Sequence, residues 1–482
     1  MKLFNFLKNE KFKFSSISTG ITIGFIVIVV LLNVVLNYLV QRYPLKADIT
    51  EKKIYELSKE SVNYLKNLNK DVEFTVLRPE ADFTSYYKEL INNYQRNSNK
   101  ITIKYIDAVK NPTYLTEKGF TNVTDAEIVI SSSDKNRYRG ITASDLSADQ
   151  NGYLSAEQKM TAAILYVTKE NVYPVYFIQG HGTSYPASFE NLFKNSGFDV
   201  KTINLMTDTP IDTDAKFLVI NSPTVDFSSE EINKIDKFLS NSEKLGKNLF
   251  VFSDLNSPAL PNLEAYIGEW GMKLGTEKVV DLKNLYQSFM FADYADVELA
   301  GDLITNGVSL FIEIGPARPV TILFDKKDII SVKSIATSMA DSYTKPAGTE
   351  MTKAALAKTD SDKSGPFNLA ALSTKTRYDA NNNPLISNVF VSGTLSFTSE
   401  ELTSSSYYGP YVGNGQYFLN ILQKMSGDKD ALLNIPAKNV NAQPLKITDN
   451  NTLLIIVILT IIIIPAIILA IGIFLWLRRR HL

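Results

Sequence analysis

Cysteine is absent from the 482 residues. That excludes disulfides, a thiolate nucleophile, sulfur-based zinc or iron–sulfur sites and a lipoprotein anchor. Histidine is nearly absent: His181 is the only one outside the C-terminal tail, so a multi-histidine metal site cannot be assembled. No G-x-x-x-x-G-K-[ST] sequence occurs, because Gly246-Lys247 is followed by Asn248 and nothing upstream completes the motif. Any ATP hydrolysis would therefore belong to another chain. No G-x-S-x-G elbow exposes a serine nucleophile, and no cofactor is implied. Net charge is also small. The N-terminal segment and the tail carry +3 each within a total of −1, which leaves −7 for the body. Such a body is a poor partner for nucleic acid or anionic lipid through bulk charge.

Long apolar runs are present, one at each end. Ile17–Val40 and Leu453–Leu477 each exceed the roughly 20 residues that a bilayer-spanning helix needs. The first run is too long for a signal-peptide core and lacks a small-residue cleavage pattern, so it reads as an uncleaved anchor. An even number of spans puts both termini on one side, and Arg478, Arg479 and Arg480 beside the second span assign that side to the cytoplasm. The expectation is a cytoplasmic-membrane protein, N-in and C-in, with short cytoplasmic ends at 1–16 and 478–482 and an extracytoplasmic body. Gly20 and Gly24 form a small-xxx-small pair in the first span, and Asn33 and Asn37 lie one turn apart on a face roughly opposite. They are candidate contacts to partner helices, or else the ordinary glycine and interfacial asparagine of a membrane helix.

The length exceeds one ordinary core, and the body reads as α/β throughout. Residues 44–170 alternate helical stripes with period-two strands in a thioredoxin-like order. Ser58 is placed to cap the first helix, and Ser155-x-x-Gln158 reads as a capping box for the last. From 171 the pattern is strand–turn–helix, repeated at Val172–Gln179, Phe217–Asn221 and Asn248–Ser253, which favours a mostly parallel sheet covered on both faces. A second capping box stands at Ser228-x-x-Glu231. Asn388–Gly393 and Gly415–Met425 read as a strand and helix returning to this sheet, so the domain is expected at 171–281 and 386–436. Residues 282–385 would then form an insertion whose polar stretch Tyr343–Gly365 is a mobile loop. Residues 437–452 tether the body to the second span.

In parallel sheets ligands gather at the carboxyl ends of the strands, which makes Gly180-His181-Gly182, Asn221-Ser222-Pro223 and Ser253-Asp254 the candidate ligand or partner site. His181 could act as a general base, as a ligand donor, or as a turn residue whose ring satisfies nearby backbone groups, the plainest of the three. A catalytic role would need a hydroxyl within reach, such as Ser184, Ser222 or Ser253, and an orienting carboxylate such as Asp254. The adjacent carboxylates Glu230/Glu231 and Glu400/Glu401 read as solvated helix starts. Tyr407-Tyr408-Gly409-Pro410-Tyr411 could stack on a sugar, dock a partner, or pack as an ordered loop.

Several segments, in order, resemble one family over nearly the whole chain. They are Ala47–Ser58, Gln179-Gly-His-Gly182, Phe217–Pro223, Val279-Val-Asp281, Ile335-Ala-Thr-Ser338, Gly365-Pro-Phe367 and Gly413–Asn420, all framed by the two apolar runs. The chain is similar to the GldG-like family, the membrane-anchored auxiliary component of gliding-motility-type ABC transport systems. The resemblance implies a non-ATPase subunit working beside a separate permease and ATPase. It also implies a central domain similar to class I glutamine-amidotransferase-like folds, whose cysteine nucleophile this chain lacks. Thr183 stands where many relatives carry an acidic residue. Two other readings of the residues remain: a membrane-tethered hydrolase acting on envelope glycans or peptides through His181 and Asp254, and a structural adaptor binding another extracytoplasmic protein.

Overall fold

The computed structural model describes residues 56–440, apart from 121–122, 124, 133–136, 149–151, 208, 287–288, 302, 304–310, 404–412, 428–434 and 436, together with 458–463, 472–473 and 477–478. Among these residues no helix is long and apolar enough to cross a membrane. Gly20, Gly24, Asn33, Asn37 and the tyrosine cluster at 407–411 lie outside the described residues, as does most of the run at 453–477. Residues 57–442 form one compact unit whose described residues build two large sheets and three two-stranded ones.

The smaller sheet is built as the sequence pattern requires. Helix α1 (Lys59–Lys66) is capped by Ser58, whose hydroxyl accepts from the Ser61 N–H. β1 (Val72–Val76), α2 (Ser85–Asn97) and β2 (Ile101–Tyr105) follow, then the hairpin of β3 (Ala126–Ser132) and β4 (Arg137–Thr142). The strand order is β2-β1-β3-β4, with β1 and β2 parallel and the other pairs antiparallel. After β5 (Tyr153–Leu154), helix α3 (Ala156–Thr168) packs Met160, Ala163, Ile164 and Val167 into the core beneath Phe74, Ile128 and Ile130. The capping box read at Ser155 does not form. Ser155 has φ −102° and ψ 9°, outside the extended region usual for an N-cap, and its side chain makes no capping bond. Its neighbour Glu157 is drawn inward instead.

The larger sheet has 11 strands and is half parallel. β6 (Pro174–Gln179), β7 (Asp199–Asn204), β8 (Phe217–Asn221), β9 (Asn248–Phe252) and β20 (Pro384–Ser392) are parallel, in the order β7-β6-β8-β9-β20. Residues 282–385, expected as an insertion, continue this sheet instead. β12 (Leu285–Tyr286), β13 (Phe289–Tyr294), β17 (Ile330–Ser338) and β19 (Asn368–Tyr378) extend it antiparallel from β20, with β14 (Ile312–Ile314) and β16 (Lys326–Lys327) paired at its margin. The half-parallel sheet follows from this long antiparallel return. Two small ladders flank it, β10 (Met272–Leu274) with β15 (Val320–Ile322), and β11 (Glu277–Val280) with β18 (Tyr343–Pro346). The expected mobile loop at 343–365 is therefore ordered: it contributes β18, and Lys345 and Asp362 pair at 2.7 Å with both side chains 8% exposed. Polar composition misled there because the lysine is neutralised inside the fold rather than solvated.

Because β6, β8 and β9 are buried on both faces, alternate residues belong to different cores. Val175, Phe177, Phe217, Val219, Phe250 and Phe252 face one side, where α4 (Ala187–Asn195) and α7 (Asn414–Ser426) cover them. Tyr176, Ile178, Leu218, Ile220, Leu249 and Val251 face the other, under α5 (Ser229–Ser240) and α6 (Pro261–Glu269). The first side is aromatic. Phe193 of α4 lies 5.4 Å from Phe177, 5.4 Å from Phe189 and 5.8 Å from Phe418, ring centre to ring centre. Each fully buried side chain of this size contributes about 1.5–3 kcal/mol. Arg139 of β4 joins the two sheets: it lies over the Tyr166 ring and donates to the carbonyls of Lys194 and Phe198.

Both connections to the chain ends meet at Glu157, which is 5% exposed. Its Oε1 accepts from the Ser58 N–H at 2.6 Å and the Ser61 hydroxyl at 2.7 Å, and its Oε2 pairs with Lys438 at 2.7 Å. Lys438 lies on β21 (Lys438–Asn439), which pairs with β5. Replacing Glu157 by Ala is expected to cost about 3–5 kcal/mol, because it leaves the partly buried Lys438 without its counter-charge and removes the bonds to Ser58 and Ser61. Urea denaturation of the full-length protein measures that loss, and limited proteolysis should then find cleavage near residue 440. Unchanged stability would show that the clasp contributes nothing.

Candidate functional site

The carboxyl end of β6 is a turn that only glycine serves. Gly180 and Gly182 have φ of +98° and +68°, and a Cβ on Gly182 would lie 1.9 Å from the Thr224 hydroxyl oxygen. This fold-back turns His181 inward until it is 2% exposed. Its carbonyl accepts from the N–H groups of Thr224 at 2.8 Å and Val225 at 3.2 Å. Its ring stacks on Phe227, centroids 3.8 Å apart and planes 15° from parallel. Nδ1 meets the Val225 carbonyl at 3.1 Å and Nε2 the Glu231 carboxylate at 2.9 Å. Both ring nitrogens are thus engaged, and no hydroxyl reaches either of them among the described residues. In this arrangement the ring meets one backbone carbonyl and one carboxylate.

Glu231 is where the sequence reading needs correction. It is not a solvated helix start but 5% exposed. One oxygen completes the capping box with the Ser228 N–H and hydroxyl at 2.9 Å each, while the other holds His181. Burial raises its pKa, but the hydrogen bonds from Ser228 and His181 outweigh burial and hold the carboxyl below its ordinary value. The capping box was legible in the sequence; its second use, across 50 residues, was not.

The neighbouring strand end is closed as well. Asn221, 3% exposed, donates through Nδ2 to the Ser184 carbonyl at 2.5 Å, while its Oδ1 is buried without a hydrogen bond among the described residues. Ser222 adopts φ +47° and donates its N–H to the Phe252 carbonyl at 2.8 Å. Tyr185 bridges β6 and β8, its hydroxyl 2.6 Å from the Ile178 carbonyl and 2.9 Å from that of Val219. Burial pushes this phenol well above its usual range, so it stays a donor.

Ser253 and Asp254 separate from this group. Ser253 is 3% exposed, and its hydroxyl accepts from Arg318 at 2.9 Å. Arg318 also donates to the Gly275 carbonyl at 2.6 Å and to Glu264 at 3.0 Å. Asp254, half-buried, lines a cleft of about 300 Å³ with Lys278, Phe289 and Ser396. The predicted set therefore divides in three: Gly180, His181, Gly182, Asn221 and Ser222 form one group in which His181 and Asn221 are buried and the two glycines exposed, Ser253 lies under Arg318, and Asp254 belongs to another cleft. Tyr185, Arg318 and Lys278 carried no motif that could have announced them. Among the described residues no group of His, Asp and Glu gathers as metal ligands would.

Glu231→Gln is expected to cost about 1–3 kcal/mol at neutral pH, since it weakens a charge-assisted pair and the helix cap together. The folded-state pKa is depressed, so the carboxylate's stabilisation is present above the unfolded value and lost as pH falls through the folded one. The gap between wild type and Glu231→Gln should therefore narrow from about pH 5 towards pH 3. Urea denaturation across that range reads it, and a gap independent of pH would rule out the electrostatic account.

Residues 51–166 match a family model described as "Domain of unknown function (DUF7088)". No curated protein matches the chain. Among solved structures it is similar to the mmIFT52 N-terminal domain, at 11% identity and a TM-score of 0.37, covering 53% of this chain and 98% of that one. It is also similar to PurLQS from Thermotoga maritima, at 11% identity and a TM-score of 0.28, covering 53% of this chain and 99% of that one. Likeness at these scores carries no conclusion about fold or function.

Proposed function

We propose that this chain is a non-ATPase auxiliary subunit of an ABC transport system, working beside a separate permease and ATPase. In this reading the two terminal apolar runs hold it in the cytoplasmic membrane, N-in and C-in, with the body outside. The support is the paired apolar runs, the missing nucleotide-binding motif and the ordered resemblance to the GldG-like family. The observation that carries the non-catalytic part is that the body's single histidine is spent on Val225 and Glu231. The strand order β2-β1-β3-β4 supports a thioredoxin-like reading of the smaller sheet, and the helix-covered parallel strands support an amidotransferase-like reading of the larger one.

The adaptor reading gains from the strand ends of β6 and β8, whose carbonyls and side chains Tyr185 and Asn221 engage from within the chain. It is compatible with the auxiliary role, since an accessory subunit can act by docking. The hydrolase reading loses ground: Asp254 makes no bond to His181, and no hydroxyl reaches the His181 ring among the described residues.

Affinity purification of the full-length protein in detergent, after crosslinking through positions near Asn33, is expected to recover a permease and an ATPase. Recovery of the chain alone would sink the transporter reading. Orientation has its own assay because the background holds no thiol. A Ser361→Cys variant places one on an exposed segment and should react with a membrane-impermeant maleimide on intact cells. Reaction only after lysis would overturn the extracytoplasmic placement.

A further inference from the structure

The parallel strands leave two places where successive connections diverge to opposite faces. The helix after β6 lies on the aromatic face and the helix after β8 on the other, so a crevice is expected between β6 and β8. The chain fills that one itself with Tyr185, His181 and Asn221. The second divergence lies between β9 and β20, because α6 follows β9 on one face while α7 follows β20 on the other. Here the chain leaves a cleft of about 300 Å³, bounded by the segments after both strands and by residues from β11 and β13.

Two charged groups in this cleft lack opposite charges. Lys278 is 4% exposed, and among the described residues its ammonium reaches only the Thr349 carbonyl at 2.5 Å and the Met351 sulfur at 3.4 Å. Burial lowers its pKa, and no nearby carboxylate raises it back. Lys345, similarly buried, is paired with Asp362, while Lys247, also buried, is held by the carbonyls of Thr213 and Ala215. Asp254 lines the same cleft, and its carboxylate has no hydrogen bond or ion pair among the described residues; only its backbone is bonded, to Ser253 and Ser257. The two charges do not pair with each other. Between them the wall is fixed: Ser396 accepts from the Gly315 N–H and lies 2.8 Å from the Thr394 hydroxyl. Leu255, Phe289 and Leu402 supply an apolar lining. An unpaired ammonium, an unpaired carboxylate and an apolar wall match a ligand that carries both charges and a modest side chain.

We propose that the cleft at the ends of β9 and β20 binds a small zwitterion of the amino-acid or dipeptide class, its carboxylate directed to Lys278 and its ammonium to Asp254. The site does not depend on the transporter reading, since it is built wholly from this chain.

The probe is the dipeptide alanyl-leucine, titrated calorimetrically into the full-length protein in detergent, alongside its N-acetyl form and its C-terminal amide. Wild type is expected to bind the zwitterion most tightly, with each blocked form weaker by about tenfold. Lys278→Met should weaken the zwitterion and the N-acetyl form by about tenfold while sparing the amide. Asp254→Asn, at a half-exposed position that tolerates change, should weaken the zwitterion and the amide while sparing the N-acetyl form. Thermal melts of both variants check folding, and Lys283→Met, in an exposed pair with Asp341, is the control. Three results would overturn the proposal: no heat at millimolar dipeptide, affinity unmoved in both variants, or a blocked form bound as tightly as the zwitterion.

Discussion

Burying a parallel sheet on both faces is the constraint from which the rest of this molecule follows. β6, β8, β9 and β20 carry apolar side chains in both directions, most of them fully buried, so helices must cover both sides. One chain can do this only by sending some connections to one face and some to the other. Each change of face opens a crevice at the carboxyl end of the sheet. Two such crevices arise here, and their different fates divide the polar residues of the body into those that seal and those that remain unmatched.

The sealing side shows how a buried polar group is made tolerable. His181, Glu231 and the Val225 carbonyl satisfy one another beneath Phe227, and Tyr185 covers two strand-end carbonyls with a single hydroxyl. A strand end that could have been a binding crevice becomes core. Arg318 does the same beside β9: it occupies the Ser253 hydroxyl and brings its own carbonyl so close to Gly393 that a Cβ there would lie 1.9 Å from it. Lys278 and Asp254 differ from Lys247 and Glu313, charges likewise without a counter-charge among the described residues, in that they lie together on an open cleft.

The strands and helices were largely legible in the sequence because their periodicity is local. Ile101–Tyr105, Phe217–Asn221 and the Ser228 cap fall where apolar spacing and capping residues place them. Residues whose partners are distant in the chain were not legible. Glu231 looked like any helix-start acid until its second oxygen met His181, Lys345 looked like loop polarity until it met Asp362, and Ser155 gave up its cap as Glu157 bonded to Ser58 and Ser61. For the candidate site, the rule of strand ends pointed to the carboxyl edge of the parallel strands. It could not say which gap along that edge the chain would fill, since Tyr185 and Lys278 carry no local pattern.

Glu157 couples the two ends of the body mechanically. The Ser58 amide and the Lys438 ammonium end on the two oxygens of one carboxylate, while β21 adds only a two-residue ladder to β5. A load on the chain at either end of the body therefore arrives at the same side chain, and the pair resists as one joint rather than two in series. Such a joint yields in a single event: once Glu157 is displaced, the entry and exit segments lose a common anchor together, while the hydrophobic core beneath α3 has yet to be disturbed.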